Sequence, residues 1–222
     1  MREEVIIVAG GTGSRMNSEL PKQFISVLNR PVIIHTLEKF YAWKPTMHVV
    51  VVMNESFIDQ WEELRKAHFP DKEISTVSGG ETRFQSVKNG ISRLKHSGVV
   101  AVHDAARPCV SVKVIGDCFR VATLKSNAIP VLKIQESLRK IQSDETSESV
   151  NRNDYLIVQT PQCFHTDKLK EAYEVAENYS FTDDASVVES HGQQVNLVEG
   201  NRENLKVTQP SDLELVEVFL RG

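Results

Sequence analysis

The chain has 222 residues, 40% of them hydrophobic and 25% charged, with a formal net charge of −4, and a chain of this length buries roughly 70% of its unfolded surface. The acidic balance argues against a nucleic-acid or anionic-membrane surface, so any cations that bind phosphate must be clustered locally. Cys109, Cys118 and Cys163 lack C-x-x-C spacing, which argues against a disulfide framework or a zinc site and predicts reduced core thiols in a cytoplasmic protein.

Met1-Arg2-Glu3-Glu4 lacks the apolar stretch of a signal peptide, and no apolar run approaches the ~20 residues of a membrane span. Val5 to Val8 then reads as a first buried strand, ending in Ala9-Gly10-Gly11-Thr12-Gly13-Ser14-Arg15-Met16 and Pro21-Lys22-Gln23. Glycines let the backbone approach a polyanion with its N–H groups, and Arg15 and Lys22 add positive charge. The spacing is neither G-x-G-x-x-G, since Met16 stands where the third glycine belongs, nor a Walker A, since Lys22 follows Pro21.

Pro31 to Trp43 carries apolar residues at helical period with proline first, and His48 to Met53 is a β-branched strand. Ser56 is expected to cap a helix whose inner face is Phe57, Trp61 and Leu64. Glu73 to Val77 is a third strand that ends at Ser78-Gly79-Gly80, before a helix carrying Val87 and Ile91. Val99 to His103 is a fourth strand, Ser111 caps a helix over Val114, Ile115, Cys118, Phe119 and Ala122, and Ala128 to Leu132 is a fifth strand. This alternation predicts an α/β class: a Rossmann-like, mostly parallel sheet flanked by helices, with right-handed crossovers and a ligand crevice at the carboxyl ends of the strands.

After Leu132 the alternation breaks. Lys133 to Ile141 reads as a two-faced strand, Gln142 to Asn151 as a polar turn and Tyr155 to Val158 as strand again. Residues 133–158 are therefore read as a protruding β-arm within a single domain, 1–222, and an arm with so little core of its own predicts a homodimer. Thr160-Pro161-Gln162 precedes a helix from Thr166 to Glu177, Phe181-Thr182-Asp183-Asp184-Ala185-Ser186 opens a short helix, and Val195 to Val198 is a strand. A closing helix is expected to be capped by Ser211 with Glu214 in the capping-box position.

Polar residues fall just after the apolar runs, where an α/β crevice would lie: Arg15 and Lys22, then Gly80, Glu81, Arg83 and Ser86, then Asp104 and Arg107. Asp104 after a buried run is either a metal ligand or an acceptor in a buried network. A phosphate cradle, several cations and one carboxylate suit nucleotidyl transfer, in which fixed donors and Mg²⁺ stabilise charge on a five-coordinate phosphorus. His103 reads as structural, because adjacent strand residues point to opposite faces. Arg152 and Lys206 read by default as solvated cations.

The motifs Ala9-Gly10-Gly11-x-Gly13-x-Arg15-Met16, Pro21-Lys22-Gln23-Phe24, Gly79-Gly80-x-x-Arg83-x-x-Ser86-Val87 and His103-Asp104-Ala105-Ala106-Arg107-Pro108 follow one another in the first half of the chain. Gln159-Thr160-Pro161-Gln162, Thr182-Asp183-Asp184-Ala185-Ser186 and Asn204-Leu205-Lys206-Val207-Thr208 follow in the second. In that order the chain resembles the 2-C-methyl-D-erythritol 4-phosphate cytidylyltransferase family of the non-mevalonate isoprenoid pathway, which joins CTP to a methylerythritol phosphate with release of pyrophosphate. The resemblance implies that Arg15 and Lys22 stabilise the transition state, and that Arg152 and Lys206 position the methylerythritol phosphate. It places Ala9, Gly10, Gly11, Gly13, Gly80, Glu81, Ser86 and Ala105 around the nucleotide, and Arg107, Ser137 and Thr160 with the second substrate. It also implies that Asp104 holds Mg²⁺ and that the arm interlocks two subunits. Two departures stand out: Glu136-Ser137-Leu138-Arg139 replaces the family's usual Asp-Thr-Ile-Lys, and Glu81 stands where aspartate is frequent. Two rival readings are a ribitol-5-phosphate cytidylyltransferase and a nucleotide-binding dimer without turnover.

Overall fold

In a computed structural model, which describes residues 1–11, 20–143, 146–174 and 181–222, strands and helices alternate as the periodicity requires. The first half runs β1 (Arg2–Ala9), a minimal ladder of β2 (Ser26–Val27) and β3 (Arg30–Pro31), α1 (Val32–Trp43), β4 (His48–Met53), α2 (Ile58–His68), β5 (Ile74–Ser78), α3 (Arg83–Ile91), β6 (Gly98–Asp104), α4 (Val112–Lys125) and β7 (Asn127–Lys133). The second half runs β8 (Leu138–Ile141), β9 (Ser147–Val150), β10 (Leu156–Val158), β11 (Gln162–His165), α5 (Thr166–Tyr173), α6 (Asp184–Ser190), β12 (Leu197–Glu199) and α7 (Pro210–Arg221).

The main sheet has the order β10-β7-β11-β6-β1-β4-β5, with β12 parallel to β7. β1 pairs in parallel with both β4 and β6, and β4 in parallel with β5. β11 enters antiparallel between β6 and β7, a strand absent from the sequence reading. Both faces of the sheet are covered, so the middles of its central strands, Val5 to Val8, Val49 to Met53 and Val99 to Val102, are runs of apolar residues rather than alternating. Val5, Ile7, Val49, Val51 and Ala101 pack on one side with α1, α2 and α4, and Ile6, Val50, Val52, Val100 and Val102 on the other with α3, α5 and α6.

Two helix caps differ from expectation. Asn54, not Ser56, begins the second helical segment: its side chain accepts from Ser56 N–H in a 3₁₀ turn that runs into α2. Gln209, not Ser211, caps α7, and Asp212 accepts from the Gln209 N–H at 2.9 Å to complete the box. Pro210 in the first helical position shifts that helix start toward the N-terminus. Ser111 caps α4 and Asp183 caps α6, with side chains accepting from Val114 and Ser186 N–H.

The segment after β7 leaves the sheet as a two-stranded ladder of β8 and β9, exposed along most of its length. β9 begins at Ser147, so part of the stretch from Gln142 to Asn151 read as a polar turn is strand. The three cysteines are free and buried, and among the described residues no helix is long and apolar enough to cross a membrane.

Gly90, inside α3, lies against the sheet: a Cβ there would lie 2.7 Å from Ile6 Cγ2 and 2.9 Å from Val52 Cγ2. Alanine would gain about 1 kcal/mol of helix propensity, but crowding two fully buried β-branched side chains costs about 1–3 kcal/mol. Gly90→Ala is therefore expected to lower stability, and an increase in the urea midpoint would show that the layer yields freely.

Candidate active site

The carboxyl ends of β1, β5 and β6 open onto a cavity of about 360 Å³. Its wall includes Ala9, Gly10, Gly11, Lys22, Gly80, Glu81, Ser86, Asp104, Ala105 and Lys206, together with Arg83 and Thr208. Sequence reasoning thus brings most of its proposed nucleotide residues to one place. Arg15 and Gly13 lie outside the described residues.

Close backbone approach shapes this cavity. A Cβ on Gly10 would meet Ser86 Oγ at 3.3 Å and one on Gly79 would meet it at 3.1 Å, so the loops after β1 and β5 converge on one hydroxyl. That hydroxyl accepts from Gly80 N–H at 3.0 Å. Buried Gln23 donates to Ala9 O at 2.8 Å and to Gly11 O at 3.4 Å. The Pro-Lys-Gln segment therefore braces the start of the glycine loop while Lys22 faces the cavity.

A second cavity of about 240 Å³ adjoins the first, and Arg107 and Thr160 line it. Arg83, Asp104 and Lys206 line both. Asp104 Oδ2 pairs with Arg107 Nε at 3.0 Å and with Lys206 Nζ at 3.2 Å. Burial would raise its pKa, but Lys206, Arg83 and Arg107 outweigh burial and hold the carboxyl well below its usual range. Asp104 is thus an ionised acceptor across the physiological range.

Lys206 reaches this point through a polar scaffold. Asn204, fully buried, donates to Thr160 O at 2.8 Å, and its own carbonyl accepts from Arg107 Nη1 at 2.8 Å and Gln159 Nε2 at 3.3 Å. Val207 N–H donates to Ala106 O at 2.9 Å. His103 supports the same place from the opposite face of β6, against Phe40 with ring centres 5.0 Å apart. Thr160 Oγ1 accepts from Asp104 N–H and lies 3.0 Å from His103 Nδ1, which assigns the imidazole proton to Nε2, facing Arg107 O. Burial pushes His103 down to about 3, so it is neutral and structural as its strand position predicts.

Arg152 and Ser137 are elsewhere. Both are exposed on the arm, Arg152 in a 3₁₀ turn after β9 with its guanidinium on Gln135 O, and neither lines either cavity. The sequence marks Arg83 only as one of the polar residues at the expected crevice, and gives Gln23 and Asn204 no separate role. The signal for each was its place inside the Pro-Lys-Gln, glycine-rich or Asn-Leu-Lys motif, but a bracing side chain has no spacing rule of its own.

The family model described as 2-C-methyl-D-erythritol 4-phosphate cytidylyltransferase (IspD) matches residues 4–222. A protein of that name from Phocaeicola vulgatus is 47% identical over 220 residues, 99% of this chain and 100% of its own length. One from Bacillus pumilus is 37% identical over 223 residues, 99% of this chain and 97% of its own. Among solved structures, 4-diphosphocytidyl-2C-methyl-D-erythritol synthase from Anaerococcus prevotii superposes with a TM-score of 0.86 at 25% identity, covering 100% of this chain and 99% of its own. The cytidylyltransferase from Thermus thermophilus gives 0.78 at 30% identity over 100% of both chains. Matched by the family model over residues 4–222 and 47% identical to a relative over nearly its whole length, the chain belongs to the 2-C-methyl-D-erythritol 4-phosphate cytidylyltransferase family.

Proposed function

We propose that the protein transfers CMP from CTP to 2-C-methyl-D-erythritol 4-phosphate, giving 4-diphosphocytidyl-2-C-methyl-D-erythritol and pyrophosphate in non-mevalonate isoprenoid biosynthesis. The observation that carries this reading is the pair of adjoining cavities joined by Arg83, Asp104 and Lys206. The larger suits the nucleotide, held by Ala9 to Gly11, Gly80, Glu81, Ser86 and Ala105. The smaller suits the alcohol phosphate, beside Arg107 and Thr160.

A phosphate oxygen of the alcohol phosphate bonds to the α-phosphorus of CTP as the bond to the bridging oxygen of pyrophosphate breaks. A phosphomonoester is already largely ionised near neutral pH, so no general base is required. Lys206, beside Asp104, orients the attacking phosphate, and Lys22 together with Arg15 neutralises the departing pyrophosphate. Among the described residues no three His, Cys, Asp or Glu side chains cluster around a metal position. Mg²⁺ is commonly held by one or two carboxylates plus substrate phosphates, so the carboxylate of Asp104 fits an ion that arrives with the triphosphate. When bound, the ion neutralises charge on the triphosphate oxygens.

The reading extends to assembly: 1–222 is one nucleotidyltransferase domain, and 133–158 is the arm through which two copies form a homodimer. Tyr155, Leu156, Ile157 and Val158 support it, all apolar and 40–48% exposed at the end of the sheet order. Consecutive strand residues face opposite sides, so a partner that covers both faces is implied. The buried free thiols suit the reducing cytoplasm.

The direct test supplies pure protein with CTP, Mg²⁺ and either methylerythritol phosphate or ribitol 5-phosphate. Pyrophosphate release is expected with the first alone. Release with ribitol 5-phosphate alone, or CTP binding without release in either case, would overturn the assignment.

A further inference from the structure

Arg83 opens α3 directly after Thr82, whose hydroxyl accepts from Gln85 N–H at 3.1 Å. Its guanidinium forks onto Asp184, with Nη1 donating to Oδ1 at 2.8 Å and Nη2 to Oδ2 at 2.6 Å. Asp184 has no exposed surface, and Oδ1 also accepts from the Tyr173 hydroxyl at 2.6 Å. Burial and the neighbouring Asp184 charge raise the Tyr173 hydroxyl well above its ordinary value, so it stays a donor. The same tyrosine ring stacks on Phe84, centres 4.7 Å apart. One aromatic side chain therefore fixes both Asp184 and the residue that follows Arg83.

A pair of this kind can be no more than a staple between α3 and α6, since buried ion pairs are weak evidence of anything beyond structure. Two observations go further. The fork occupies two of the five guanidinium N–H donors, while the Arg83 side chain keeps 26% exposure against 0% for Asp184, so its open edge is the one that lines the cavities. In addition, Arg83, Arg107 and Lys206 bring three positive charges to two carboxylates, Asp104 and Asp184. At the junction of the cavities, which Arg83 and Lys206 both line, a planar fork held in one orientation suits a phosphate.

We propose that Asp184 and Tyr173 are positioning residues that hold Arg83 at the junction of the two cavities, where its guanidinium binds the α-phosphate as it passes from the nucleotide to the acceptor. This assignment rests on the reaction given above and adds Arg83 to the residues that touch the reacting atoms. It predicts that Asp184 acts on turnover only through Arg83.

The test compares Arg83→Ala, Asp184→Asn, Tyr173→Phe and the Arg83→Ala/Asp184→Asn double variant for kcat, KM for CTP and thermal melting, with and without millimolar guanidinium. Arg83→Ala is expected to lower kcat by ~10²-fold with KM for CTP changed little. Added guanidinium should restore part of that loss when Asp184 is present and none when it is asparagine. The double variant should be no slower than Arg83→Ala. Tyr173→Phe, which keeps the ring packing, should lower kcat by roughly 3- to 10-fold with little change in melting. It carries the test if Arg83→Ala does not fold. Additive losses in the double variant, normal kcat in folded Arg83→Ala, or normal kcat in Tyr173→Phe would overturn the assignment. A wild-type protein that turned over neither alcohol phosphate would overturn the reaction itself, and this assignment with it.

Discussion

Lys22→Ala is expected to lower kcat by ~10²–10³-fold while leaving the melting transition close to that of the wild type. The separation of effects follows from local structure. Lys22 begins the 3₁₀ turn Lys22–Phe24, but the residues that anchor this turn are its neighbours, Gln23 through Ala9 O and Phe24 through its contact with Phe57 at 5.7 Å. Lys22 itself is half-buried at the cavity wall. It also lies within electrostatic reach of Asp212, whose carboxyl burial would raise and whose hydrogen bonds from Thr208 and Gln209, helped by Lys22, bring down. The ammonium therefore stands between the start of α7 and the cavity, where the charge of a departing pyrophosphate would accumulate. Stopped-flow or coupled pyrophosphate release measures the loss, and far-ultraviolet melting checks the fold. A folded Lys22→Ala protein with near-normal kcat would remove Lys22 from the reaction.

If the chain forms the proposed homodimer, mixing two slow variants should restore activity. Arg152 lines neither cavity of its own chain and lies on an exposed turn held by the Asn151 side chain, which accepts from Asn153 N–H at 3.2 Å. If it positions the acceptor phosphate, it must do so in the partner's site. Arg152→Ala and Lys22→Ala homodimers should each be slow by ~10²-fold or more, because every site carries a lesion. In a heterodimer, one site collects both lesions and the other has none. Random exchange of equal amounts should then recover about a quarter of wild-type activity, from closed two-fold assembly alone. Were Arg152 to act within its own chain, each heterodimer site would keep one lesion and the mixture would stay inactive. Differently tagged variants, co-expressed and purified through both tags, make the comparison clean.

Much of the scaffold was legible because its causes are local. Val5 to Val8 and Val49 to Met53 are apolar without a break, which is what a strand covered on both faces requires, and they became the neighbouring strands β1 and β4. Ser111 capped as expected, because the N–H it accepts from, that of Val114, is only three residues away. β11 was illegible for the opposite reason. Gln162-Cys163-Phe164-His165 is four residues long, has no period, and is a strand because β6 and β7 offer it two edges. The misplaced caps at Ser56 and Ser211 arose where a second acceptor, Asn54 or Gln209, stood two residues earlier and the tertiary path of the chain selected it.

The site divides in the same way. Its chemical inventory could be read from the residues alone: glycines that admit phosphate, a lysine after a proline, a carboxylate at the end of a buried strand, and a family order of motifs. That inventory could not say that Asp104 sits 3.2 Å from Lys206, or that Arg83 meets Asp184 across 101 residues of chain. Those pairings depend on the strand order and on how the loops pack at one end of the sheet. Period and capping act over one or two turns, whereas an ion pair between distant residues exists only after the sheet has brought their backbones together.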